Sequence, residues 1–158
     1  GLETYNAKQQ NKFLNKRVKE IQDAQIETPR RLSVSFTNLG IIYRHKLLYE
    51  DAANYYKKAI ELDPDYADAY INLGAAMLVK AKELVNEMNK SLSNLKKYDA
   101  LKAKQLELYK EVLPFYEKAY ALKKDDLDIV RTLMSLYENL EINDKFKEMK
   151  ALWDASRE

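Results

Sequence analysis

The sequence contains no cysteine. It therefore has no disulfide, no thiolate nucleophile and no cysteine-ligated metal site, which fits the cytoplasm and an oxidising compartment equally. Glycine and proline number three each, too few for a turn-rich β fold. Histidine occurs once, as His45. No run of about eighteen apolar residues exists, so no helix of this chain spans a membrane, and no signal peptide is visible. The chain opens Gly1-Leu2 without Met, which reads as a trimmed start that a targeting segment can precede. The formal net charge is only +2, with acids and bases interspersed. A nucleic-acid binder needs a strong basic stripe, and the mild excesses over 12–19 and 96–104 read as solvated helix faces.

What is present points one way. Apolar residues make up 46% and charged residues 33%, with twelve tyrosines mostly at helical spacing, the profile of an all-α protein. The stretch from Asn38 to Pro64 carries Leu39-Gly40, Tyr43, Ala52, Tyr56, Ala59 and Pro64, with Phe36 just before it. Small residues at 40 and 52 let two helices approach, Tyr43 and Tyr56 fill the space beside that contact, and Pro64 in Asp63-Pro64-Asp65 turns the chain. The pattern recurs as Tyr70, Leu73, Gly74 and Met77, and 74 − 40 = 34. These residues and this period resemble the tetratricopeptide repeat. The resemblance covers about Ser33 to Trp153. It implies a right-handed superhelical stack of antiparallel helix hairpins, an α-solenoid of about three repeats in a single domain.

Taken in order, 1–32 supplies an N-terminal helix over residues 1–28. Phe13/Leu14, Val18, Ile21 and Ala24/Gln25 are its apolar stripe, and Glu27-Thr28-Pro29 ends it. It reads as the second helix of a preceding repeat or as a cap, with a detached arm as the alternative. Repeat 1 is 33–66, with helices over 33–45 and 50–62 about a turn at 46–49. Repeat 2 is 67–126. Its second helix has Val112, Tyr116 and Ala119 where repeat 1 has Ala52, Tyr56 and Ala59. From Met77 to Val112 is 35 positions and from Tyr43 to Ala52 is 9, so 26 residues are inserted. The insertion lacks Gly and Pro and reads as two lengthened helices joined near Asn89–Asn94, where Asn and Ser favour turns and caps. About thirteen extra residues per arm add roughly 20 Å at 1.5 Å each. Pro114 is expected to bend the second arm. This stretch is similar to a lengthened repeat of bacterial tetratricopeptide proteins, several of them in the cell envelope, which inclines the expected compartment to the periplasm or envelope. Repeat 3 is 127–158, with helices over 127–140 and 144–156. Met134 replaces the glycine, so the crossing must be wider or compensated, and Trp153 is expected to cover the end of the core.

Catalytic chemistry finds little support. His45 has no second His and no Ser-His-Asp or His-Glu spacing around it. The acids Asp63/Asp65 and Asp125/Asp126/Asp128 suit helix capping better than metal binding, since the Ca²⁺-loop glycine and terminal Glu are missing. Gly40 and Gly74 sit inside helices, so no phosphate loop exists. The expectation is a non-catalytic scaffold with no cofactor and no metal, binding a peptide or helix of another protein. The resemblance implies that the first helix of each repeat lines a concave face. That gives Thr37, Asn38, Ile41, Arg44 and His45, then Asp68, Ile71, Asn72 and Ala75, then Arg131 and Ser135. Asn38 and Asn72 recur in register, and an Asn side chain can pair with a peptide N–H and C=O together or simply tolerate a solvated face. The residues of the chaperone-tail clamp are matched at one position in five, by Asn72, which argues against that subtype. The alternatives are a structural homodimer built on the second hairpin or the N-terminal helix and, more remotely, an enzyme.

Overall fold

A computed structural model describes residues 2–23 and 29–157. The described residues form seven α-helices and no strand: α1 Leu2–Asp23, α2 Pro29–His45, α3 Tyr49–Leu62, α4 Ala67–Lys90, α5 Leu95–Leu122, α6 Leu127–Asn139 and α7 Asn143–Ala155. They divide into two compact units, 1–76 and 77–158, with the division inside α4.

In the first unit, α2 and α3 form the hairpin read from the sequence. Ala52, Tyr56 and Ala59 of α3 are buried against a row of small residues on α2, Ser33, Thr37 and Gly40. A Cβ on Gly40 would stand 2.4 Å from Cε1 of the Tyr56 ring, so the absent side chain makes room for that ring. Ser33 donates to the carbonyl of Ala59 at 2.8 Å, and the N–H of Asp63 uses the same carbonyl. One group thereby ties the end of α3 to the start of α2. Asp63 Oδ1 accepts from the N–H of Asp65, and Asp63 also pairs with Arg30.

Helix α2 starts four residues before the expected Ser33. Pro29 lies at its first position, where the missing N–H would have no partner anyway, so the proline opens this helix. The expected stripe positions Ala24 and Gln25 and the stop at Glu27-Thr28 lie outside the described residues.

The second unit contains the lengthened pair. α4 runs to Lys90 and α5 begins at Leu95, joined by 91–94. Asn94 caps α5 by accepting from the N–H of Lys97 at 3.1 Å. Pro114 lies inside α5. Its far end repeats the first hairpin: Val112, Tyr116 and Ala119 are buried like Ala52, Tyr56 and Ala59, and the N–H of Lys123 closes on the Ala119 carbonyl. α6 buries Ile129, Val130, Leu133, Leu136 and Tyr137, and Asp126 caps it by accepting from the N–H groups of Asp128 and Ile129. On α7 the buried side chain is Met149, while Trp153 is only half-buried.

The turns of the first and last hairpins are the same motif. Leu47 and Glu141 have φ of 62° and 59°. The N–H of Leu48 reaches the Tyr43 carbonyl, and that of Ile142 reaches the Tyr137 carbonyl, at 3.0 and 2.8 Å. This is the six-to-one bond of a left-handed helix stop. The separation 141 − 47 = 94 is two periods of 34 plus the 26 inserted residues.

Candidate functional site

In the first unit α1 packs against α2, and the two helices enclose an open apolar groove of about 550 Å³. Phe13 and Leu14 of α1 and Ile41 and Ile42 of α2 supply its apolar lining, with Gln9, Gln10 and Asn38 as its amides. Phe13 remains 67% exposed. The helix contact is fastened at one end through Tyr43. Hydrogen bonds from Asn11 of α1 and from Tyr55 of α3 hold the Tyr43 hydroxyl below its usual pKa. Tyr55 is correspondingly pushed up to about 12, by burial first and then by its bond to Tyr43. Its ring lies between Phe36 and Tyr43, with centroids 6.3 and 4.9 Å away. Lys58 stands over Phe36 and Tyr55, and Lys46 over Tyr43.

Among the expected residues, Asn38 and His45 are exposed and Ile41 and Arg44 half-buried. Positions 38, 41 and 45 follow helical spacing along one side of α2, and the groove brings Asn38 and Ile41 against Phe13 and Leu14 of α1. Thr37 is buried at 2%. It belongs to the small-residue row that faces α3 and is not exposed to a partner. Asp68, Ile71, Asn72 and Ala75 are half-buried on α4. The Asn72 amide donates one hydrogen to the Asp68 carbonyl at 2.8 Å, leaving its second N–H and its oxygen.

In the second unit Arg131 is exposed and paired with Asp128 at 3.1 Å. Ser135 and Thr132 line a smaller groove of about 330 Å³ with Leu78, Val85 and Tyr109. Beside α7, the Glu117 carboxylate accepts from the Tyr137 hydroxyl at 2.8 Å and from Lys145 at 2.5 Å. Burial opposes its charge, but these two donors outweigh burial and hold it below the usual carboxylate range. The same burial and the neighbouring carboxylate push Tyr137 up.

The α1 side of the first groove, Gln9, Gln10 and Phe13, was not legible as a site. Its only trace is the four-residue spacing of Gln9 and Phe13, which suits a core stripe equally well. Among the described residues no group of three or more His, Asp or Glu could hold a metal ion, and no helix is long and apolar enough to cross a membrane.

Residues 40–79 match the family model described as TPR repeat. No curated protein sequence matches the chain. Among solved structures, YrrB, described as a TPR protein with an unusual peptide-binding site, is 23% identical over 84% of this chain and 70% of its own, with a TM-score of 0.33. MamA is 19% identical over 95% and 94%, with a TM-score of 0.32. A double mutant of MamA from RS-1 is 15% identical over 100% and 98%, with a TM-score of 0.34. Scores this low leave the assignment to the repeat itself: its matched model, its paired helices and its buried Gly40–Tyr56 contact. Residues 40–79 carry a tetratricopeptide repeat.

Proposed function

We propose that this chain is a non-catalytic interaction scaffold that receives a peptide or helical segment of a partner protein on the first helices of its repeats. Tetratricopeptide repeats generally mediate protein–protein interaction. The recognition residues proposed are Asn38, Ile41, Arg44, His45, Asp68, Ile71, Asn72 and Ala75 in the first unit, with Arg131 and Ser135 as a separate contribution from the second. The proposed repeat boundaries are 33–66, 67–126 and 127–158. The observation that carries this reading is the two-sidedness of α2. Its Ser33, Thr37, Leu39 and Gly40 are buried, while Asn38 and His45 are exposed and Ile41 is half-buried. An apolar residue flanked by solvated amide and imidazole groups suits an interface better than a purely solvated face does. Crosslinking followed by pulldown from the source cell, with Asn38→Ala, Asn72→Ala and Arg131→Ala combined, tests it. The expected result is loss of the partners recovered by the parent chain. Equal recovery would remove the assignment.

A second reading, self-association through the lengthened hairpin, is favoured by Leu92 and Leu95 at its tip, which are 66% and 73% exposed. Sedimentation at several concentrations decides it: a dimer that Leu92→Lys with Leu95→Lys dissolves supports it, and a strict monomer removes it.

A further inference from the structure

We infer that the groove between α1 and α2 receives an acidic amphipathic helix, one that presents aliphatic side chains to the groove and Asp or Glu to its surroundings. This rests on the interaction-scaffold reading and adds the chemistry and conformation of the partner.

Charge is the first reason. Residues 9–19 of α1 and 29–45 of α2, the stretches of the two helices that bound the groove, contain seven Lys and Arg and no Asp or Glu. Some of this charge is answered internally: Lys16 and Arg17 pair with Glu20 at 3.6 Å, and Arg30 pairs with Asp63. Lys12, next to Phe13, and Arg44, one turn beyond Ile41, make no ion pair among the described residues. An acidic segment meets complementary charge here, and a basic one meets repulsion.

Chemistry of the lining is the second. Phe13, Leu14, Ile41 and Ile42 offer apolar surface, and the polar groups of the lining are the amides Gln9, Gln10 and Asn38. An extended peptide pressed into such a groove would find only these three amides as partners for its backbone N–H and C=O groups. A helix satisfies its own backbone and needs only to bury an apolar stripe. Two antiparallel helices also present the ridges and grooves into which the side chains of a third helix pack.

The probe is a fluorescein-labelled sixteen-residue peptide with Leu at positions 5, 8, 9 and 12 and Glu and Ala elsewhere. Its controls carry Lys for Glu, or Ser for Leu. Fluorescence anisotropy is measured against the parent chain, Phe13→Glu, Lys12→Glu and Lys147→Ala. Phe13 is two-thirds exposed, so its substitution leaves the fold intact, which circular dichroism checks. Lys12→Glu alters only a surface charge.

The expected result is saturable binding of the Glu peptide, weakened about tenfold or more by Phe13→Glu and a few-fold by Lys12→Glu or by salt near 0.5 M. Neither control peptide binds, and Lys147→Ala, at an exposed position of α7, binds as the parent does. No binding up to about 1 mM, equal binding by Phe13→Glu, or equal binding of the Lys peptide overturns the proposal. So does a dimer of the chain that Phe13→Glu dissolves, since a second copy would then occupy the groove. If the titration succeeds while the triple alanine variant still captures its partners, the broader face is wrong and the groove stands.

Discussion

The first and last hairpins share one turn and fill it differently. Positions 94 apart are equivalent, so Gly40 corresponds to Met134, Tyr43 to Tyr137, Tyr55 to Met149 and Tyr56 to Lys150. In the first hairpin the buried Tyr56 ring lies where a Cβ of residue 40 would be. In the last, the position of that ring is held by Lys150, which is exposed and paired with Asp154. No ring from that position of α7 therefore opposes Met134, and the lost glycine is answered by a residue change on the opposite helix. The two equivalent tyrosines diverge as well. Tyr43 accepts hydrogen bonds and has its pKa lowered, while Tyr137 donates to a carboxylate and is pushed up. The backbone frame is set by the turn and the period, and the chemistry at each position is set by its local partner.

The largest effect that would break this comparison is at the glycine. Gly40→Ala is expected to cost about 2–3 kcal/mol, because the fully buried Tyr56 ring cannot swing aside. Met134→Ala is expected to cost about 1 kcal/mol at most, from a half-buried site. Urea denaturation compares them, and equal losses would mean that the two crossings are not built differently.

The Glu117 cluster comes next. Glu117→Gln is expected to cost about 1–2 kcal/mol at neutral pH through its bonds to Tyr137 and Lys145. Its carboxyl is lowered from 4.5 in the folded state. The stability it supplies is therefore present above pH 4.5 and is lost as pH falls through the folded value. The substitution should flatten that acid limb. At the other end Tyr55 and Tyr137 are raised from 10.0, so stability declines as pH rises above 10. Chemical denaturation across pH reads both limbs.

Ser33→Ala should cost about 1 kcal/mol, the net worth of one buried hydrogen bond. Leu127, the equivalent residue of α6, is part-exposed, and Leu127→Ala should cost less. The smallest effect is at the shared turn. Leu47→Gly and Glu141→Gly should each stabilise by roughly 0.5–1 kcal/mol, since glycine adopts positive φ without steric cost. A gain at one turn alone would separate two motifs that coincide in geometry. Thermal melts resolve it.

Much of this frame was readable from residue order. The glycine period, the insertion of 26 and the joint at Asn94 are written in spacing and in cap chemistry, both local signals. Three features were not. Pro29 ends or opens a helix with equal ease, and only the continuation of α2 decides which. Thr37 fell on the expected recognition face by resemblance, yet Ser33, Thr37 and Gly40 form a row of small residues against α3. Their smallness was visible, but which neighbour required it was not. The site on α1 was hidden because Phe13 reads as core until its two-thirds exposure is known, and burial depends on contacts that no single stripe encodes.

The most direct test of the account is amide NMR of the ¹⁵N-labelled chain titrated with the Glu-rich helical peptide. Shifts concentrated at the amides of Phe13, Leu14, Asn38, Ile41 and Ile42, and reduced by Phe13→Glu, are the predicted result. Shifts confined to the second unit, or spread over every basic surface alike, would contradict it.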